Sequence, residues 1–198
     1  QAETMMRDAY ACGADDAVIL SDRKFAGADV LATSYALAQG IQVIGGADLI
    51  ICGRQTTDGD TAQVGPSIAE HLTIPHAAWV AEVTDVTETS ITVRQDLVSV
   101  SQVSELPYPC LITIDKDTCV PRLPSYRLKK ATADRPVRIL SFADMPDQDL
   151  SRYGLVGSPT SVEQMFAPKE AEKQFYIEGT SAEKASRLFA VLNENKII

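Results

Sequence analysis

Short unbroken apolar runs separated by helical patterns set the rhythm of the first third of the chain. Met5, Met6, Ala9, Tyr10 and Cys12 fall on one face of a helical pattern, with Gly13 placed as its C-cap. DAVIL, residues 16–20, reads as a short buried strand, and SDRKFAGAD, 21–29, as a turn-rich loop. A helix is predicted over about 30–44, with Leu31, Tyr35, Leu37, Ala38, Ile41 and Ile44 on its apolar face and Gly45 and Gly46 as its stop. DLIIC, 48–52, is a further continuous apolar strand. Neither strand alternates, as expected of strands covered on both faces of a parallel sheet. The α–β–α–β–α order predicts an α/β fold with a doubly wound, mostly parallel sheet. Such a fold places a strand ahead of the first helix, so the chain reads as N-terminally truncated.

After residue 76 the period changes. AAWVAEVTDV, SITVRQDL, VSVSQVS and PCLITID read as four strands with short connections, added to the parallel sheet. The pairs Ile91, Val93 and Val98, Val100 give polar–apolar alternation, whereas PCLITID, 109–115, is continuous and buried. Residues 116–138 read as irregular, and 140–178 as an extended arm rich in Pro, Asp and Ser. A last helix opens on the capping box Thr180-x-x-Glu183 and carries Ala185, Leu188, Phe189 and Leu192 on one face. The expected division is an α/β domain over 1–139 and an arm plus helix over 140–198.

Composition narrows the function. The chain has 198 residues, 45% hydrophobic and 23% charged, in the range of globular proteins, and its net charge of −9 argues against nucleic acid. The basic residues are unevenly spread: Arg122, Arg127, Lys129, Lys130, Arg135 and Arg138 stand together against Asp134 alone. That patch is either a solvated loop or a docking surface for an acidic partner. Cys12, Cys52, Cys110 and Cys119 form no CxxC pair, which points to a reduced, cytoplasmic setting, and His71 and His76 have no metal spacing with them. No run of 18 apolar residues occurs.

The candidate chemistry lies in the turn after DLIIC. A strand–turn–helix in a parallel sheet puts the turn at the carboxyl edge, where helix N–H groups favour an anion such as phosphate. Gly53 and Gly59 allow tight turns, Thr56, Thr57 and Thr61 bring hydroxyl donors, and Arg54 brings a charge. Asp58 before Gly59 is a turn pair, and Asp60 has capping-box spacing to Gln63. Both carboxylates would then shape the loop while backbone amides face the anion. Pro66 leaves the helix start open between Thr61 and Pro66 itself. The same residues would also serve in an ordinary βα connection. No nucleophile–base pair or carboxylate pair stands out.

The string GRQTTDGDTAQVGPSIAEHL, 53–72, resembles the signature of the small (beta) subunit of electron transfer flavoprotein, and the likeness runs through nearly the whole chain. It implies an adenine-nucleotide-binding, Rossmann-like fold whose first strands and adenine-binding segment precede Gln1. It further implies that Gly53, Arg54, Gln55, Thr56, Thr57, Asp58, Gly59, Asp60, Thr61, Ala62, Gln63 and Val64 form a nucleotide loop. The nucleotide is AMP in respiratory members and the ADP part of a second FAD, which meets NADH, in flavin-bifurcating ones. SDRKFAGADVLATSYALA is similar to the bifurcating type, with Val30 where a threonine is expected. This places Asp29 and Thr33 among the flavin-binding residues, with Arg23 and Ser34 as further ring donors. DKDTCVPRLPSYRLKKA resembles the family's partner-recognition loop, which implies contacts through Thr118, Cys119, Val120, Pro121, Arg122, Leu123 and Tyr126. Thr118 stands at the usual leucine anchor position, with Leu123 and Tyr126 as alternative anchors. The implied partners are a large (alpha) FAD-carrying subunit, on which the arm and last helix dock, and an acyl-CoA dehydrogenase-type enzyme. The implied role is electron transfer between NADH or a dehydrogenase and that enzyme, as an electron carrier capable of bifurcation within a complex. The rival readings are an adenine-nucleotide-binding regulatory module and an ATP-cleaving domain, whose usual phosphate loop follows a first strand that this sequence does not contain.

Overall fold

A computed structural model describes residues 2–97, 99–166 and 176–197. Helix α1 (Ala2–Ala11) closes on Gly13, which takes a φ of 106° that other residues resist, and it buries Tyr10 and Ala11. Strand β1 (Val18–Leu20) follows. Helix α2 (Val30–Val43) starts where Asp29 accepts the Ala32 N–H at 3.1 Å, and it stops before Gly45 and Gly46. Then come β2 (Leu49–Gly53), α3 (Val64–Leu72), β3 (His76–Val86), β4 (Ser90–Asp96), β5 (Ser101–Pro107), β6 (Cys110–Ile114), α4 (Tyr126–Ala131) and β7 (Arg138–Leu140). The chain forms two compact units, 1–161 and 162–198.

The first unit is α/β, built on two hydrogen-bonded sheets. β1 pairs in parallel with β7, while the other sheet has the order β2-β6-β3-β4-β5. β6 runs parallel to both β2 and β3, which explains its continuous apolar run: it is buried on each face and paired on each side. β3, β4 and β5 are the antiparallel meander. Ile91 and Val93 point inward as their alternation predicts. Val98 lies outside the described residues, and Val100 is exposed ahead of β5. Among the described residues no strand bonds to both β1 and β2, so the doubly wound order is not formed by hydrogen bonding.

Helix α2 nonetheless packs on both sheets. Tyr35 and Ala36 join Leu140, Phe142, Met145 and Tyr153 on the β1–β7 side. Ala38 joins Ile68, Ala69 and Leu111 on the β2–β6 side. A third cluster, with Val80, Ile91, Val93 and Ile112, fills the meander. Full burial of one such large side chain contributes about 1.5–3 kcal/mol.

The segment expected to leave the domain at 140 stays in the first unit as far as 161. Phe142, Met145 and Tyr153 are buried there, and the Tyr153 ring meets those of Phe142 and Tyr35 edge-on at 5.1 and 5.3 Å. Phe142 opens the 3-10 turn Phe142–Asp144 and Met145 caps it, while Tyr153 caps the turn Leu150–Arg152; such single turns have no period to read. The 116–138 stretch likewise holds the short helix α4, capped by Ser125. In the second unit, α5 (Ser181–Glu194) begins on the predicted capping box, with Thr180 and Glu183 bonded reciprocally. The middle of the expected arm, 167–175, lies outside the described residues.

Candidate functional site

Strand β2 ends at Gly53, and the Arg54 N–H continues its ladder to the Ile114 carbonyl at 2.9 Å. The loop that follows is folded by its own side chains. The Asp58 carboxylate accepts the Gly59 N–H at 2.8 Å, and the Asp60 carboxylate accepts the Gln55 Nε2 amide at 2.6 Å. The Thr56 hydroxyl and the Gly59 N–H hold the Asp58 carboxyl below the usual carboxylate range. Asp60 and Ala62 take left-handed φ values of 50° and 54°. Both carboxylates therefore shape the loop, but Asp60 is not the helix cap. Helix α3 begins at Val64, and its N-cap, Gln63, makes no side-chain hydrogen bond. Pro66 falls in the first turn, where its missing N–H costs nothing. The first N–H groups of α3 thus open onto the loop without a side-chain cap.

Gly65 lets α3 lie close on the sheet: a Cβ there would come within 2.4 Å of Thr113 Cγ2. The helix N-terminus, the loop and the face of α2 enclose a cavity of about 410 Å³. Thr33, Leu37, Arg54, Thr56, Thr61 and Ile68 are among the residues that line it. Thr33 and the loop 53–64, 20 residues or more apart in sequence, are thereby brought together. Asp29 is not in that lining. One of its oxygens accepts Ala32 N–H, and the other accepts the Thr160 N–H and hydroxyl at 3.1 and 2.8 Å. Ser34 is fully buried and donates to the Leu31 carbonyl at 2.9 Å, so its hydroxyl is spent inside the helix. Arg23 sits on a 3-10 turn and lines neither this cavity nor the one behind the loop.

The loop has a second side. A cavity of about 670 Å³ lies between Gly53–Gln55, Thr57 and the end of β6, and Lys116, Cys119 and Pro121 reach it. Gly53, Arg54 and Gln55 line both cavities, so this stretch is a wall between them. Arg54 donates from Nη1 to Asp115 Oδ2 at 2.7 Å, and its guanidinium lies 4.5 Å from the centre of the Trp79 ring. Its Nε is buried and has no acceptor among the described residues. The Arg54 contact and the Lys116 N–H hold the Asp115 carboxyl below its ordinary range. Trp79 is presented by an irregularity in β3 between Ala77 and Val80, at a φ of 60° that is unusual for a bulky residue. Its N–H is taken by Thr113 Oγ1 at 2.9 Å. Asp115 and Trp79, which hold Arg54, were not signalled by the sequence. Trp79 is the chain's sole tryptophan, but nothing in AAWVAEV signals the kink that turns it.

Of the expected partner contacts, Thr118 is held internally: its hydroxyl donates to the Val80 carbonyl at 2.9 Å. Val120, Leu123 and Tyr126 are 95%, 84% and 81% exposed, and Cys119, Pro121 and Arg122 are also exposed. Within the basic patch, Arg135 is used structurally, donating to the Ala14 and Asp15 carbonyls. The other five basic side chains are exposed. Across α2, the His71 ring meets Tyr35 edge-on at 5.3 Å, and burial, with the Arg152 charge nearby, pushes the His71 imidazole pKa down. Among the described residues no group of His, Cys, Asp and Glu could hold a metal ion, and no helix is long and apolar enough to cross a membrane.

Residues 1–145 match the model of the electron transfer flavoprotein domain. The chain is 42% identical over 176 residues to electron transfer flavoprotein subunit beta of Megasphaera elsdenii, covering 86% of this chain and 64% of that protein. It is 39% identical to the subunit of the same name from Thermoanaerobacterium thermosaccharolyticum, over all of this chain and 75% of that one. It is 38% identical, over the same shares, to caffeyl-CoA reductase-Etf complex subunit CarD of Acetobacterium woodii.

Proposed function

The chain belongs to the electron transfer flavoprotein family, and from that premise we propose that it is a beta-type subunit whose 410 Å³ cleft holds the FAD nucleotide of a bifurcating complex. The observation that carries this reading is the meeting of Thr33 and Leu37 of α2 with the loop 53–64 and the uncapped start of α3 in one cavity. The donor set fits a phosphate-bearing ligand. α3 offers N–H groups and the positive end of its dipole, Thr56 and Thr61 offer hydroxyls, and Arg54 offers a charge with an unmatched buried Nε. Leu37 and Ile68 supply an apolar wall that excludes water, and Thr33 supplies a donor at the far side. Flavin, when bound, supplies the redox chemistry, and the chain binds and orients it. Membership of this family disfavours the ATP-cleaving reading. The same reading treats the two sheets as parts of one doubly wound arrangement, supported by α2 packing on both. Unpaired cysteines at 12, 52, 110 and 119 support a cytoplasmic setting.

The wider assembly is part of the proposal. A large (alpha) subunit carries the other flavin, NADH is the donor, and an acyl-CoA dehydrogenase-type enzyme docks at exposed Val120, Leu123 and Tyr126 beside the basic patch. A second reading, AMP alone, is favoured by the internal engagement of Asp29 and Ser34, which leaves Thr33 as the near-flavin donor. Equilibrium binding separates the two. If FAD spans the cleft, Thr33→Val weakens FAD by about fivefold, one neutral hydrogen bond, and leaves AMP unchanged. Equal loss for both, or for neither, overturns the FAD reading.

A further inference from the structure

Arg54 stands where two functions meet. It lines the nucleotide cleft on one side and the cavity before 116–121 on the other. Arginine carries five N–H donors in a fixed plane. One of them, on Nη1, is bonded to Asp115, and the buried Nε has no acceptor among the described residues. The other Asp115 oxygen accepts the Lys116 N–H at 2.7 Å, and the Asp115 carbonyl accepts the Thr118 N–H at 3.2 Å. The Thr118 hydroxyl is tied to the Val80 carbonyl, one residue beyond Trp79, on whose ring Arg54 lies. The beginning of the docking segment therefore hangs on the group Arg54–Asp115–Trp79. Trp79 carries that ring on a left-handed φ of 60°.

We propose that Arg54 is a positioning residue that couples nucleotide occupancy of the cleft to the order of the 116–121 docking segment. The inference rests on the nucleotide reading above. A phosphate in the cleft gives the free donors of Arg54 an anion. A guanidinium held from both sides then holds Asp115, and Asp115 holds Lys116 and Thr118. The coupling is positive and reciprocal: whatever orders the segment tightens the nucleotide by the same factor, at least about fivefold for a coupling of ordinary size. Lysine at position 54 would keep the charge but not the planar fork or the stacking.

The test is hydrogen exchange of amides 116–121 in the protein assembled with its large subunit, with and without saturating AMP, alongside AMP titration. In the unaltered chain AMP slows exchange there by about fivefold. In Asp115→Asn and in Arg54→Lys, AMP still binds, no more than about tenfold weaker, but exchange at 116–121 no longer responds to it. Circular dichroism checks that both variants are folded. AMP binding without slowed exchange in the unaltered chain, or with the same slowing in both variants, overturns the coupling and leaves the nucleotide reading standing. No binding of AMP or FAD to the unaltered protein in that assembly overturns both.

Discussion

Two aspartates in a loop suited to an anion pose a residue-scale problem, and their hydrogen bonds answer it. Asp58 and Asp60 spend their oxygens on Gly59 and Gln55, so their charge closes turns within the loop. Asp58→Ala therefore loosens the turn and weakens nucleotide binding, by about fivefold if one hydrogen bond's worth, about 1 kcal/mol, is transmitted. Tighter binding in a titration of that variant would mean that the carboxylate opposes the ligand. His71 makes a pH prediction. Burial lowers its pKa in the folded chain, so on acidification the unfolded chain takes up the proton first. The stability this site contributes is full above the unfolded value of about 6.5 and is lost as pH falls below it. Thermal melts at about pH 7.5 and 5.5, on either side of that value, should show a drop that His71→Gln reduces. An unchanged drop in the variant would remove His71 as its cause.

At the scale of elements, the site depends on how closely α3 lies on β6. Thr113 cannot turn away from an added methyl group at Gly65, because its hydroxyl is taken by Trp79. Gly65→Ala thus forces the helix off the sheet at a cost of about 1–3 kcal/mol, more than the gain in helix propensity of about 1 kcal/mol. Urea unfolding should show a lower midpoint; an equal or higher one would contradict the packing described. The elements themselves were legible where local chemistry decides them. The Gly45–Gly46 pair and the Thr180–Glu183 box mark helix ends, and the unbroken run in β6 marks a strand paired on both sides. The loop 53–64 and Thr33 were named from the resemblance, and the fold brings them to one cavity. β7 and the turns carrying Phe142 and Tyr153 were not, because their burial comes from contacts with α2 more than 100 residues away. The Arg54–Asp115 pair was hidden for the same reason, its partners being 61 residues apart. Asp60 was misread because capping-box spacing says nothing of where the helix begins, and Asp60 instead takes a left-handed turn.

For the whole molecule, the first unit exposes apolar residues on strands as well as loops: Ile51 in β2 and Ile139 in β7 are 57% and 63% exposed, and Val120 is 95% exposed. With ladder edges on β1 and β2 that no described strand pairs, this predicts that the chain alone self-associates; light scattering from a monodisperse monomer would contradict it. The central claim, that the cleft between α2 and the loop 53–64 holds the FAD of an electron-bifurcating subunit, has a more direct measurement. It is the nucleotide content of the complex reconstituted with the large subunit, followed by reaction with NADH. Two FAD per heterodimer and NADH oxidation in the presence of an acyl-CoA dehydrogenase-type acceptor are expected. One FAD and one AMP, with no reaction with NADH, would contradict it.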